Sequence, residues 1–249
     1  MNPWKGLGGL RREVWILAGA TLLNRAGTMA LPFLVLYLTQ GLGFDPAKAG
    51  EAMVVYGLGA LAAAPLGGQL SDRIGSLRVM RGALILSGTL MIALPLAHSW
   101  PVLLGLVALW SLTAEAFRPA SMAILTDLAP EDRRKAVYSL NRLAINLGMS
   151  VGPVLGGLLA RHSFRALFWV DGATALASAL VLRFAVREAP PRQGRSGSAH
   201  PFSALSDRRL ALFLLAVLPS MVVFLQHEGA LPVVLVQDLG LSPAFYGTL

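Results

Sequence analysis

Residues 136–160 read AVYSLNRLAINLGMSVGPVLGGLLA, an apolar run with one charged side chain, Arg142, near its start. A hydrocarbon core about 30 Å thick needs roughly 20 helical residues at about 1.5 Å each, and this run is long enough to cross one. Gly148, Gly152 and Gly156 fall four apart, so they line one helix face and let a second helix come close. Pro153 adds a local kink. Outward from this run, residues 14–38, 49–70, 79–97, 101–125, 164–184 and 210–236 satisfy the same length requirement. Lipid penalises unpaired backbone groups, and the alternating pattern of a barrel strand is missing, so each run is expected to be a helix. The predicted fold is an all-α, polytopic transmembrane helical bundle with seven spans present.

Composition agrees: of 249 residues, 55% are hydrophobic and 14% charged, and the mean hydropathy is +0.63, outside the range of ordinary soluble domains. The absence of cysteine excludes disulfides, thiolate metal sites and cysteine nucleophiles. His98, His162, His200 and His227 lie too far apart for a short ligand motif, so no metal and no cofactor is expected. His227-Glu228-Gly229-Ala230-Leu231 is close to the zinc-protease pattern H-E-x-x-H, but Leu231 stands where the second histidine is required. The expectation is a protein that is not an enzyme. The net charge of +8 comes from loop residues rather than a basic patch, which argues against nucleic acid as a partner. The first run, broken only by Asn24 and Arg25, is too long for a cleaved signal peptide and reads as a first span.

With the N-terminus in the cytoplasm, fifteen lysines and arginines fall in loops on that side, among them Lys5, Arg11, Arg12, Arg73, Arg78, Arg81 and Arg133 to Lys135. Only Lys48, Arg161 and Arg165 fall on the other, so the positive-inside rule predicts a cytoplasmic N-terminus. Arginine-rich, lysine-poor usage with abundant alanine and glycine fits a GC-rich bacterial genome and hence the inner cell membrane. Three units are expected: a six-helix half at 1–184, a flexible cytoplasmic linker at 185–209 containing APPRQGRSGSAHP, and the start of a second half at 210–249. The last assignment rests on an internal repeat. Ala30-Leu31-Pro32 reappears as Ala230-Leu231-Pro232, and each copy precedes a turn, GLGFDP at 41–46 and DLGLSP at 238–243. Chance similarity in apolar helices is the alternative. If real, the repeat matches the parallel two-halves plan of one large transporter class.

Two motifs then identify a family. Gly68-Gln69-Leu70-Ser71-Asp72-Arg73-Ile74-Gly75, between spans two and three, resembles the major facilitator signature G-x-L-a-D-r-x-G. Its glycines suit a tight turn and close helix approach, and Asp72 can take hydrogen bonds from a helix N-terminus or pair with arginine. The family follows the second glycine directly with two basic residues, whereas Ser76-Leu77 intervene here before Arg78 and Arg81. Gly148 to Gly157 resembles G-x-x-x-G-P-x-x-G-G, a family motif associated with antiporters, on Gly148, Gly152, Pro153, Gly156 and Gly157. The resemblance implies a twelve-span bundle of which about seven are present, ending where an eighth span would begin, and so a truncated product or fragment. It also implies a cytoplasmic latch built on Asp72, with Asp127 where an acidic partner ending span four would be. The arginine the family often shows earlier in span four has no counterpart, since apolar Gly105-Leu106-Val107-Ala108 occupies that region.

Charges inside spans are costly enough to mark function, with pairing and snorkelling as plainer alternatives. Arg25 lies eleven residues into span one, about 17 Å deep, and is expected to face a cavity. Glu115 and Arg118 are three apart on span four and share a face, which suits a structural pair as well as a functional one. Proton antiporters of the resembled family use a membrane carboxylate for which proton and substrate compete, and Glu115 is the first candidate, with Glu228 the second. Arg142 fits snorkelling, and Asp171, seven residues into span six, fits a polar site near the exterior turn rather than a proton carrier.

The function implied is secondary active transport: proton-coupled antiport or efflux of a small molecule by alternating access, with the solute, protons and the lipid bilayer as partners. A seven-span ligand-sensing receptor is the alternative from another class, and an inactive truncated fragment is a further one. Lys5, Lys48 and Lys135, the only lysines, all lie in loops, which argues strongly against a retinal pump. Substrate identity does not follow from a scaffold whose pocket side chains vary freely.

Overall fold

The computed structural model describes residues 7–186, 207–225 and 230–248, and no strand occurs among them. Six helical stretches among these residues are long and apolar enough to cross a membrane: Arg12–Gly41, Pro46–Ile74, Ser76–Leu96, Trp100–Leu128, Glu131–Ala160 and Phe164–Ala185. They correspond to the first six predicted spans, each extended or trimmed by a few residues. The seventh predicted segment includes residues 226–229, outside the described residues, as are His227 and Glu228. Around that gap lie α8 (Arg208–Leu225) and α9 (Ala230–Pro232). Most of the expected linker, 187–206, also lies outside them.

Span one is broken, which the sequence reading missed. It consists of α1 (Arg12–Gly27), α2 (Ala30–Leu36) and a π-helical turn, Tyr37–Gly41. Pro32 supplies the cause. Its ring would clash with the carbonyl four residues earlier, that of Thr28, and it has no N–H to donate there. The helix stops at Gly27, and Pro32 is tolerated in the first turn of a new one. The following helices are α3 (Pro46–Ile74), α4 (Ser76–Ala93), α5 (Trp100–Leu128), α6 (Arg134–Ala160) and α7 (Phe164–Ala185). Pro65, Pro119 and Pro153 sit inside α3, α5 and α6 without ending them.

Glycines set the helix pairs. A Cβ on Gly148 would overlap that of Arg25, one on Gly152 would crowd the carbonyls of Arg25, Ala26 and Thr28, and one on Gly156 would lie 2.9 Å from Phe33. The expected packing face of α6 is therefore the seat of span one, and the rising numbers on both sides make the two helices parallel. Gly67 meets Ala116 and Pro119 while Gly59 meets Ala108 and Ser111, so α3 and α5 also run in parallel. Gly88 and Gly172 each face the other's carbonyl, joining α4 to α7. Gly68 of the first motif faces open space, and the close helix approach expected there is made by Gly67 instead. Gly75 makes the expected turn: at φ 98° it ends α3 and begins α4 alone, a conformation that only glycine adopts without strain.

The buried apolar side chains form two clusters. One, around Phe33, Leu36, Met91, Val107 and Phe168, fills the end of the bundle where α3 begins. The other, around Leu17, Met80, Phe117, Ile124 and Leu182, fills the end carrying Gly75 and the basic loops. Leu61 and Phe184 are among many large apolar side chains facing outward, as a lipid-facing surface requires. Arg81 ties down the basic end of α7, its Nη2 donating to the carbonyls of Leu182 at 2.6 Å and Val186 at 2.7 Å.

α10 (Pro243–Tyr246) follows a second π-helical turn, Val233–Asp238. The two turn regions share one backbone plan. The amide of Leu42 donates to Tyr37 and that of Leu239 to Val234; Phe44 donates to Leu38 and Leu241 to Leu235. Gly43 and Gly240 have φ 71° and 66°. Asp45 and Ser242 cap the next helix, with proline following each. In this register the two Ala-Leu-Pro triplets do not coincide: the second lies three residues, nearly one helical turn, closer to its glycine. The turn plan is thus shared, and the triplet is shifted by three residues.

Candidate functional site: a polar seam between two apolar cores

Between the two apolar clusters lies a cavity of about 50 Å³, room for a few waters. Arg25 of α1, Tyr56 of α3, Glu115 and Phe117 of α5 and Asp171 of α7 line it. Three of the charges singled out in the sequence meet here. Tyr56 Oη donates to Glu115 Oε1 at 2.9 Å, and Arg118 Nε donates to Glu115 Oε2 at 2.9 Å. Both carboxylate oxygens are therefore occupied. The Arg118 side chain is 63% exposed and the Glu115 side chain 16%, so the pair has its carboxylate inward and its guanidinium outward. The Tyr56 ring leans on Trp110, centroids 4.9 Å apart, which fixes the hydroxyl over Glu115.

Arg25 comes from the last turn of α1, where a cation complements the helix dipole. Its guanidinium lies 5.8 Å from the centre of the Phe117 ring, a cation–π contact. Its Nε is buried and has no hydrogen-bond partner among the described residues. Gly148 packs directly against its stem, so the side chain has little freedom to leave the seam.

Asp171 occupies a different place from the exterior turn site expected for it. It is 7% exposed, and its Oδ2 accepts from the amides of Met29 at 3.1 Å and Ala30 at 2.9 Å, the donors released by the break in span one. In the sequence Asp171 reads only as a polar site near the exterior turn, and Tyr56 does not stand out at all. The signal for Asp171 was available in Pro32, since a broken helix needs a partner for its orphaned amides.

The residues expected to form a cytoplasmic gate lie apart from this seam. Asp72 and Arg73 are exposed in the last turn of α3, and Arg78 is exposed in the first turn of α4. The parallel packing of α3 and α5 sets Asp127, exposed near the end of α5, level with the Gly75 turn at the same end of the bundle. Gly157 faces away from span one, its Cβ position 2.8 Å from Ala244 Cα of α10. Glu228 lies outside the described residues. Among the described residues no group of histidine and acidic side chains could hold a metal ion.

This arrangement has close relatives in fold. The chain superposes on a D-xylose-proton symporter with a TM-score of 0.68 at 18% identity, covering 94% of this chain and 63% of that one. A bacterial homologue of the human lysosomal transporter Spinster, in an inward-facing and occupied conformation, gives 0.66 at 17%, covering 95% and 56%. In sequence it is similar to the MFS-type transporter YqjV of Bacillus subtilis, 31% identical over 63% of this chain and 38% of that protein. It is 26% identical to a Na(+), Li(+), K(+)/H(+) antiporter of Planococcus maritimus over 90% and 57%. It is 24% identical to the quinolone resistance protein NorA of Staphylococcus aureus over 76% and 48%. The chain thus spans about half the length of the curated relatives it matches. The family model for the Major Facilitator Superfamily matches residues 17–249. With that match over nearly its whole length, and with the fold and both motifs in place, the chain belongs to the major facilitator superfamily of membrane transporters.

Proposed function

We propose that this chain works in a proton-coupled antiporter that exports a small molecule by alternating access, with Glu115 as the carboxylate that carries the proton. The observation that supports it is the Glu115 carboxylate in the seam, bound on one oxygen by Tyr56 and on the other by Arg118. A proton on Glu115 removes the charge that holds Arg118, and a substrate that draws on the same carboxylate competes with that proton. Competition for one group is what couples opposing fluxes. Two relatives point the same way, one described as a cation/H(+) antiporter and one as a quinolone resistance protein.

In this reading residues 1–184 are a first six-helix half, 185–209 a cytoplasmic connector and 210–249 the opening of a second half in an inner membrane. The shared turn plan at 37–46 and 234–243 supports that division. Asp72, Arg73, Arg78 and Asp127 belong to a gate at the basic end, and the charge distribution supports a cytoplasmic position for it.

The complete product of the gene is reconstituted into proteoliposomes, with a quinolone and Na⁺ as first probes. A pH gradient is expected to drive efflux by the native protein, and Glu115→Gln is expected to reduce it to the rate seen without a gradient. Undiminished gradient-driven flux in the variant removes Glu115 from the mechanism.

A further inference from the structure

On one side of the break in span one the freed backbone groups are closed locally; on the other, where Met29 and Phe33 also pack on Gly156, the freed amides end on a single carboxylate. The end of α1 is fixed: a Cβ on Gly27 would overlap the Thr174 side chain, and Gly148 and Gly152 press on the backbone from Arg25 to Thr28. Its freed groups are closed locally, with Thr28 Oγ1 donating to the carbonyl of Asn24 at 2.9 Å and the Thr28 amide to that of Arg25 at 3.2 Å. The start of α2 has no such closure. Its first amides, Met29 and Ala30, both end on Asp171 Oδ2.

We propose that Asp171 is a second proton-binding residue of this transporter, whose protonation releases the start of α2 and lets the outer half of span one turn about the break at Thr28 and Met29. It is a positioning residue acting through the backbone of span one. The inference rests on the proton-coupled reading above but assigns a separate group. An ionised carboxylate accepts amide hydrogen bonds about twice as strong as a neutral acid does, so one proton weakens both contacts together. The titratable or charged side chains sharing the cavity with Asp171 are Arg25 of α1, Tyr56 of α3 and Glu115 of α5; α4 brings Leu84, Ser87 and Met91, and α6 brings none. The carboxylate therefore faces one cation and one further acid, and Glu115 is occupied by Tyr56 and Arg118.

The chain contains no cysteine, so one introduced thiol reports alone. Leu31, in the first turn of α2 and on the cavity wall, is replaced by cysteine in the full chain, and its alkylation by N-ethylmaleimide is timed with Asp171 intact and with Asp171→Asn. Each rate is divided by the thiolate fraction titrated in the same protein, so that the ratio reports access to the thiol and not its ionisation. Near pH 7 the Asp171→Asn protein is expected to react about tenfold faster, roughly the worth of one charge-assisted hydrogen bond. The ratio is expected to fall toward one as acid protonates the native carboxylate. A ratio that does not change with pH, or a ratio of one throughout, overturns the proposal and leaves Asp171 a structural cap. If Asp171→Asn is not recovered folded, Leu31→Cys is compared with Gln40→Cys, an exposed position at the same end of the bundle, in protein with Asp171 intact. A ratio rising in acid supports the hinge, and a flat one overturns it. Failure of the Glu115→Gln flux test with this ratio intact would refute the coupling role of Glu115 and leave the hinge standing.

Discussion

Tyr56 shows how a residue without charge governs one with it. Its hydroxyl is the partner of Glu115 Oε1, and its ring is held by Trp110. Tyr56→Phe keeps the ring contact and removes the donor, so the protein is expected to lose about 1 kcal/mol of stability, read as a lower thermal midpoint in detergent. An unchanged midpoint would mean that water replaces the hydroxyl without cost. Charge was the legible part of the site: Arg25, Glu115 and Arg118 stood out because an ionised group in an apolar run is costly. Tyr56 was illegible because a tyrosine in a membrane helix is unremarkable until its neighbour across the bundle is known. Asp171 was misplaced because depth was counted along its own helix, whereas its partners belong to a helix 141 and 142 residues earlier in the chain.

Among the elements, span one and α6 form the pair most exposed to substitution. Gly148, Gly152 and Gly156 leave no room for a side chain against α1 and α2. Gly148→Leu is expected to cost at least the roughly 1–3 kcal/mol of an overpacked core and to abolish the monodisperse peak in size-exclusion chromatography. Gly68→Ala, facing open space, is expected to leave that peak unchanged. The four-residue spacing made this face readable in advance, because periodicity survives without knowledge of the partner. The identity of the partner did not follow from the spacing, and neither did the break in span one. Pro32 marks the break through its clash with the carbonyl four residues back, an effect that hydropathy and spacing do not register.

Across the whole molecule, the described parts of the two proposed halves touch at the end away from the basic loops. Gln237 Nε2 donates to Thr39 Oγ1 at 2.6 Å, the rings of Phe33 and Tyr246 meet edge to face at 5.4 Å, and Gly157 admits α10. α8, by contrast, leaves most of its described side chains exposed. If alternating access requires this contact to part, a short bifunctional thiol crosslinker between Thr39→Cys and Gln237→Cys is expected to stop transport, with recovery when a reducible linker is cleaved. Native flux in the crosslinked protein would mean that this contact never opens. The membrane bundle itself was legible from hydropathy and length alone. The two halves' meeting was not, since it depends on turn geometry rather than on composition.

The paired wide turns bear on ancestry. A helix that loosens into i→i+5 bonding, passes through a left-handed glycine and restarts at a capped proline is an uncommon sequence of events, yet it occurs twice here with the same hydrogen bonds. Side chains around the two turns differ at most positions, Tyr-Leu-Thr-Gln-Gly against Val-Leu-Val-Gln-Asp, while the backbone path is retained. A copied ancestral segment would leave such a record: the letters diverge, the chain path persists, and a later three-residue slip moves Ala-Leu-Pro one turn along in one descendant.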